Sequence, residues 1–377
     1  MRITFVTALW LPATGGIEVL TGQMMAELRR RGHEVSMVTI RHDSSLPEHE
    51  IIDGIEIVRI DTVDAIITRD LPGVLRAQRI MWEAVRELRP DVLHSHDGSP
   101  ALWMYLRAAR TNRPPLVLTV HSVMSRQFAV TGAALDGLLT MLGDADRITG
   151  VSSATIADAI ALVPSIAGRT VVVPNGVTPP PRASTPVADG VDELLCIGRL
   201  VPEKDFGRAL AALRHLADRR PDVRLTIAGD GKERHSLMET ARVFGIEDRV
   251  EVLGMVDNSR IPELLDRATV VVLPSRHEGM PLVALEAAWM ARPVVATAVP
   301  GIEEVIVDGV TGRLVAGDDE ALADAIESLL DDRELARSMG AAARARAESE
   351  FSLIACIDRY EAIYAELVTA SREGRLG

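Results

Sequence analysis

The sequence predicts an α/β protein built from two doubly wound, parallel-sheet (Rossmann-like) domains, and three observations carry that prediction. Short apolar runs alternate with helical patterns through the front half of the 377 residues, as parallel strands wrapped by helices require. A stretch rich in proline and small residues, TPPPRASTPVADGVD, then breaks the rhythm. After it the same alternation restarts. A chain of this length exceeds what one hydrophobic core usually fills, so two cores are expected.

Taken in order, ITFVTAL reads as the first buried strand, and residues from about Glu18 to Arg31 read as the helix after it. The run LRRRGHEV closes that helix: its arginines complement the C-terminal dipole and Gly32 stops the turn. EVSMVTI, IEIVRI, DVLHSH, LVLTVHS, RITGVS and TVVVPNGV continue as strands, which gives a first domain over 1–173. Residues 174–190 are the linker. ELLCIGRL, a helix near 206–219, VRLTIAGDG, VEVLGMV, ATVVVLPS, a helix from Pro281, and PVVATAV build a second domain over 191–350. The last segment, 351–377, is helical. Its stripe of Phe351, Ile354, Ile357, Tyr360, Tyr364 and Leu367 reads as core packing, expected to return to the first domain.

Composition narrows the function classes. A formal charge of −13 and a pI near 5.2 argue against a protein that grips nucleic acid, and against docking on an anionic membrane. No apolar run reaches bilayer-spanning length. The start MRITFVTALWLPATGG has one basic residue and a short apolar run, so it reads as a strand rather than a secretory leader. Cys196 and Cys356 stand alone in apolar segments, which offers neither a disulfide framework nor a cysteine metal cluster and fits a reducing cytoplasm.

Ligands of open α/β sheets bind outside the carboxyl ends of the strands, so candidate functional residues belong there. The loop ALWLPATGGIE lacks the G-x-G-x-x-G spacing of dinucleotide enzymes, as does IGRLVPEKD, and hydride transfer is disfavoured. Gly15 and Gly16 nonetheless permit close approach of a ligand to backbone. Gly198, Arg199 and Lys204 share one loop, where a guanidinium fork and an ammonium suit a diphosphate. The competing reading has Glu203 and Asp205 neutralising those cations on a solvated loop.

PSRHEGMPLVALEAAWM is the densest stretch. Pro281 suits the first helical position, leaving a bare helix N-terminus that attracts anions. Glu278 falls in the loop and Glu286 within the helix, acceptor-only groups of the kind that hold sugar hydroxyls. A capping or surface role for Glu286 is weakened by its neighbours Leu282, Val283, Leu285, Ala287 and Ala288. HSHD offers His94, His96 and Asp97 with His121 as a zinc set, although such a string is a common strand ending and that reading is disfavoured, and GDAD offers Asp144 and Asp146 as a metal-binding pair. The second reads better as a helix end turning into a strand.

Together TGGIE near the start, VVVPNGV before the linker, and GRLVPEKD followed by EGMPLVALE, in this order and at these intervals, resemble the retaining glycosyltransferases of GT-B fold, the family 4 or group 1 type, over nearly the whole chain. The resemblance implies two Rossmann-like domains facing a cleft, with the nucleotide-sugar donor on the second and the acceptor on the first. Arg199 and Lys204 would bind the diphosphate, assisted by Gly198 and by the backbone of Gly279, Met280, Pro281, Leu282 and Val283. Glu286 would hold the ribose hydroxyls and Glu278 the transferred sugar. His121 looks like the residue that approaches the sugar near the reacting carbon, Gly16 like the glycine that closes over the phosphates, and Val256 like a contact to the base. The catalytic set implied is His121, Glu278, Arg199 and Lys204. The expected reaction moves a hexose-type sugar from a nucleotide diphosphate sugar, UDP favoured over GDP, to a small-molecule, glycan or lipid-linked hydroxyl, with retention, without metal or other cofactor. The alternatives are a nucleotide-sugar 2-epimerase or hydrolase of the same fold, and a binding protein without turnover.

Overall fold

Among the residues that the computed structural model describes (1–8, 10, 15–68, 70–96, 98–109, 113–127, 133–190, 192–316 and 318–375), fourteen strands form two sheets. The chain divides into a first unit, Met1–Gly176 with Leu353–Gly377, and a second, Val177–Ser352. In the first unit β1 (Arg2–Thr7), β2 (Glu34–Ile40), β3 (His49–Ile52), β4 (Ile55–Ile60), β5 (Val92–His96), β6 (Leu116–Val120), β7 (Arg147–Gly150) and β8 (Thr170–Val172) lie in the order β3-β4-β2-β1-β5-β6-β7-β8. All neighbours are parallel except β3 and β4. In the second unit β9 (Glu193–Ile197), β10 (Arg224–Ala228), β11 (Val250–Gly254), β12 (Val270–Leu273), β13 (Val294–Thr297) and β14 (Gly312–Val315) run wholly parallel as β11-β10-β9-β12-β13-β14.

The central strands β5, β6, β12 and β13 are buried at every position because helices cover both sheet faces. Each sheet reverses its winding at one place, next to β1 in the first unit and next to β9 in the second. That reversal leaves the loops at the carboxyl ends of the adjoining strands divergent, which opens a crevice there. Two strands have no counterpart in the sequence reading. β3 alternates exposed and half-buried residues at the sheet edge, joined to β4 through Asp53 and Gly54, both at positive φ (49° and 74°) as a two-residue hairpin turn requires. β14 is four residues long and opens on a glycine.

The helix Gly16–Arg30 buries Leu20, Met24, Met25 and Leu28, and Gly32 at φ 89° ends it. Its arginines do more than face a dipole. Arg31 pairs with Glu27, and with Asp358 and Glu361 of the helix Leu353–Arg372, which packs on the first unit. That last helix buries Ile357, Tyr360, Tyr364 and Leu367, but two members of the expected stripe do not belong to it. Ile354 is 47% exposed, since the buried face runs through Leu353 and Ile357, and Phe351 precedes the helix and is buried in the second unit.

Residues 174–190 are not a free tether beyond Gly176. Val187 is buried, the Thr185 amide and hydroxyl donate to Asp266 Oδ1 (2.8 and 3.0 Å), and Arg292 Nη1 donates to the Thr185 carbonyl at 2.7 Å. The cause is Arg292, whose fully buried guanidinium needs acceptors on every side and also takes the Leu265 carbonyl and Asp266 Oδ1. A strap without apolar period is held by a buried charge instead.

Candidate active site

The β9 and β12 strands sit side by side at the reversal of the second sheet, and their following loops carry the charged motifs. Gly198 adopts φ 151°, and its amide bonds the Ala228 carbonyl at 3.0 Å. Gly229, at φ 146°, comes so close that a Cβ there would lie 1.8 Å from the Gly198 oxygen; at Gly231 it would lie 2.5 Å from the Leu200 oxygen. Only glycine lets the β10 loop press on the β9 loop in this way.

From that base Arg199 projects into solvent, and no carboxylate among the described residues pairs with it. Lys204 turns back to Glu278, with Nζ 2.5 Å from Oε1, and the side chains are 24% and 11% exposed. Ser275 Oγ donates to the same Oε1 at 2.7 Å. Of the expected competitors for the cations, Asp205 is occupied elsewhere, its Oδ2 accepting from Arg276 Nε at 2.8 Å, while the Arg276 amide donates to the backbone carbonyl of Glu203 at 3.0 Å and the Glu203 carboxylate forms no ion pair among the described residues. Neither acid neutralises Arg199. These bonds lace the β9 loop to the β12 loop, so the cations and Glu278 form one unit.

Pro281 is the residue before the helix, with extended ψ of 121°, and not its first turn; the helix runs Leu282–Trp289 and carries no side-chain cap. The shift has a physical reason: the Pro281 carbonyl already accepts from Ala284 at 3.1 Å, the role of an N-cap residue. The first-turn amides of Leu282 and Val283 therefore lack helical acceptors. Gly279, Met280 and Pro281 are buried beneath them. Glu286 lies one turn on. Burial pushes its carboxyl up to about 7, and no hydrogen bond to it is made among the described residues. Such a group is costly without a partner, and a hydroxyl-bearing ligand is a partner of the right kind. Val256 follows the end of β11, half-buried.

In the first unit His121 stands just past β6, with Nε2 2.7 Å from Nδ1 of the buried His96. Gly16 opens the helix after the β1 loop. The zinc set is not assembled. His94 Nδ1 bonds the Tyr364 hydroxyl at 2.6 Å and its Nε2 bonds Thr119 Oγ1 at 2.7 Å, leaving no lone pair for a metal. Asp97 lies outside the described residues. Asp146 Oδ2 is taken by Arg113 and the Leu116 amide, and among the described residues no group of three His, Cys, Asp or Glu side chains could hold a metal ion.

Sequence reasoning missed Ser275, Gly229, Gly231 and Gly301. A Cβ on Gly301 (φ 89°) would lie 2.1 Å from the Gly279 oxygen and 2.6 Å from that of Glu278, so this glycine seats the Glu278 loop. The loop glycines of IAGDG and VPGIE were the available signal.

Two cations, a helix N-terminus and two acceptors gathered at the reversal of a parallel sheet are groups of the kind that suit a diphosphate-linked ligand. Comparison with known proteins makes the family specific. Residues 14–179 match the model described as Glycosyltransferase Family 4, and residues 180–346 match Glycosyl transferases group 1. Glycogen synthase from Mycobacterium tuberculosis is 36% identical over 282 residues, covering 71% of this chain and 66% of that protein, so the chain spans about two thirds of that relative's length. The D-inositol 3-phosphate glycosyltransferase from Xylanimonas cellulosilytica is 30% identical over 367 residues, covering 88% of this chain and 87% of that one. The structure of Anabaena HepE in complex with UDP and glucose matches with a TM-score of 0.81 at 21% identity, covering 97% of this chain and all of that one. The chain belongs to glycosyltransferase family 4, and its fold is GT-B. No helix among the described residues is long and apolar enough to cross a membrane.

Proposed function

We propose that the chain transfers a hexose-type sugar from a nucleotide diphosphate sugar, a UDP-sugar before a GDP-sugar, to a hydroxyl acceptor with retention at the anomeric carbon. The observation that carries this reading is the pairing of Lys204 with Glu278 beside Arg199 and Glu286, whose side chains have no partner among the described residues. Each has a task on a nucleotide sugar. A diphosphate drawn to Arg199 and the helix N-terminus competes for Lys204, and Glu278, released from its ammonium, turns to a hydroxyl of the transferred sugar. Glu286 accepts from the ribose. The preference for UDP is supported by HepE, whose structure holds UDP and glucose in the same fold. The curated relatives carry names with different acceptors, so the reading extends only to a hydroxyl on a small molecule, glycan or lipid-linked sugar.

The chemistry follows from where charge grows. As the bond from the anomeric carbon to the leaving phosphate oxygen breaks, negative charge develops on the diphosphate, and Arg199, Lys204 and the Leu282 and Val283 amides are oriented to meet it. The acceptor hydroxyl attacks on the face the phosphate is leaving, and its proton passes to that phosphate oxygen. The configuration is kept and no metal is required, because fixed cations carry the leaving-group charge.

The test is a panel of UDP-, GDP- and ADP-sugars incubated with and without hydroxyl acceptors, following nucleotide release. Release that depends on acceptor, with an α-linked first product by proton NMR from an α-linked donor, is the expected result. Release without acceptor points to the hydrolase or epimerase, binding without release points to a regulator, and a β-linked product overturns the retention.

A further inference from the structure

His96 and His121 meet through ring nitrogens 2.7 Å apart, with ring planes 17° from parallel and centroids 4.9 Å apart, so the imidazoles touch edge to edge as a hydrogen-bonded pair does. His96 is 4% exposed, and its other nitrogen, Nε2, is buried without a partner among the described residues. The ring is held on both flanks, with Phe5 at 5.9 Å and His94 at 4.5 Å between centroids. His94 is itself locked by Tyr364 and Thr119.

A neutral imidazole has one N–H. On Nε2 of His96 that proton would be an orphaned buried donor, a rare and costly state, whereas on Nδ1 it is used in the bond to His121. We propose that His96 is a positioning residue for His121, its Nδ1–H donating to His121 Nε2 and so fixing that imidazole in the neutral Nδ1–H tautomer and in one ring orientation. Burial, reinforced by the neighbouring imidazoles, holds His96 well below the usual histidine range, which keeps the donor ring neutral at working pH. A charged His121 would turn an Nε2–H against the Nδ1–H of His96, so the pair also disfavours the imidazolium. The histidine that the family resemblance reads as approaching the transferred sugar is thereby kept uncharged. This inference rests on that reading of His121 for its catalytic consequence, but not for the tautomer itself.

The experiment uses the full chain labelled with nitrogen-15 histidine, and long-range proton–nitrogen spectra at pH 7 assigned with His96→Asn, His96→Leu and His121→Ala. His121 is expected in the Nδ1–H form in the unsubstituted protein and in His96→Asn, whose amide can still donate, and to move toward the Nε2–H form in His96→Leu. With UDP-sugar and acceptor, kcat of His96→Leu should fall roughly tenfold with donor KM within about twofold, the pattern of an interaction felt in the transition state. The double variant His96→Leu, His121→Ala should be no slower than His121→Ala. An Nε2–H on His121 in the unsubstituted protein overturns the proposal, and so does a normal kcat for folded His96→Leu where His121→Ala is impaired. Normal turnover of His121→Ala would instead fell the reading of His121, while the spectrum still decides the tautomer.

Discussion

Two titratable groups, the buried His94 in the first unit and the half-buried Glu286 in the second, show what separates scaffold from site. His94 gives both nitrogens to partners, Tyr364 and Thr119, and Thr119 Oγ1 lies 2.6 Å from that of Thr149 and 3.0 Å from the Tyr360 hydroxyl. Burial, aided by His121, lowers its pKa to about 3, so it stays neutral and the network is closed. Glu286 makes no bond among the described residues, and burial alone raises it to about 7. A polar group whose bonds are made inside the fold specifies that fold; one left open is held for a ligand. Glu278 lies between the two cases, with one oxygen committed to Lys204 and Ser275 in a pairing that a diphosphate can displace.

The comparison can be broken most sharply at Glu278. Glu278→Gln should lower turnover with the full donor by about two to three orders of magnitude, the cost typical of removing one preorganised electrostatic contact near the reacting centre. Initial rates with UDP-sugar check this, and normal turnover would remove Glu278 from the reaction.

Glu286 gives a prediction in pH. Its folded pKa stands above its ordinary 4.5, so the ligand-free protein incurs a penalty that is absent below 4.5, grows as pH rises and is complete above about 7. Glu286→Gln should therefore stabilise the ligand-free protein at pH 8 by up to about 3 kcal/mol, since each tenfold change in acidity is worth about 1.4 kcal/mol, and leave it little changed at pH 4.5. Paired thermal or urea melts at the two pH values measure it; equal effects at both would show that the carboxyl is not strained by burial.

Tyr364→Phe tests the closed network. Removing the hydroxyl leaves His94 Nδ1 unpaired and should cost about 1–3 kcal/mol of stability, while UDP affinity of the folded variant stays within twofold. Smallest is the effect of chelator. On the proposal that Arg199 and Lys204 carry the leaving-group charge, EDTA should leave the rate unchanged, and loss of turnover restored by magnesium or manganese would contradict that.

The contrast also explains what was legible in the sequence. Strands buried on both faces read as nearly continuous apolar runs, so β1, β6, β9 and β12 were plain, as was the break after β8. Edge strand β3, half exposed, and the four-residue β14 carry too little apolar pattern to be found. Glu278, Glu286, Arg199 and Lys204 were legible through local motifs. The bond between Lys204 and Glu278 was not, since its partners stand 74 residues apart and the lysine could equally have met Asp205 or Glu203. His96 and His121 were placed near each other in the sequence, but as metal ligands; their direct bond follows from the pairing of β5 with β6. Gly301 and Gly229 act on the backbone of distant loops, a contact no local string encodes.

The central claim is that an open acceptor serves the nucleotide and a paired one serves the sugar, and calorimetry with UDP at pH 8 tests it most directly. Glu286→Gln should weaken UDP binding roughly ten- to a hundredfold, the worth of a charged hydrogen bond of about 1.5–3 kcal/mol. Glu278→Gln should not weaken it, because the substitution also releases Lys204 for the diphosphate. Equal losses in the two variants, or a loss confined to Glu278→Gln, would contradict the account.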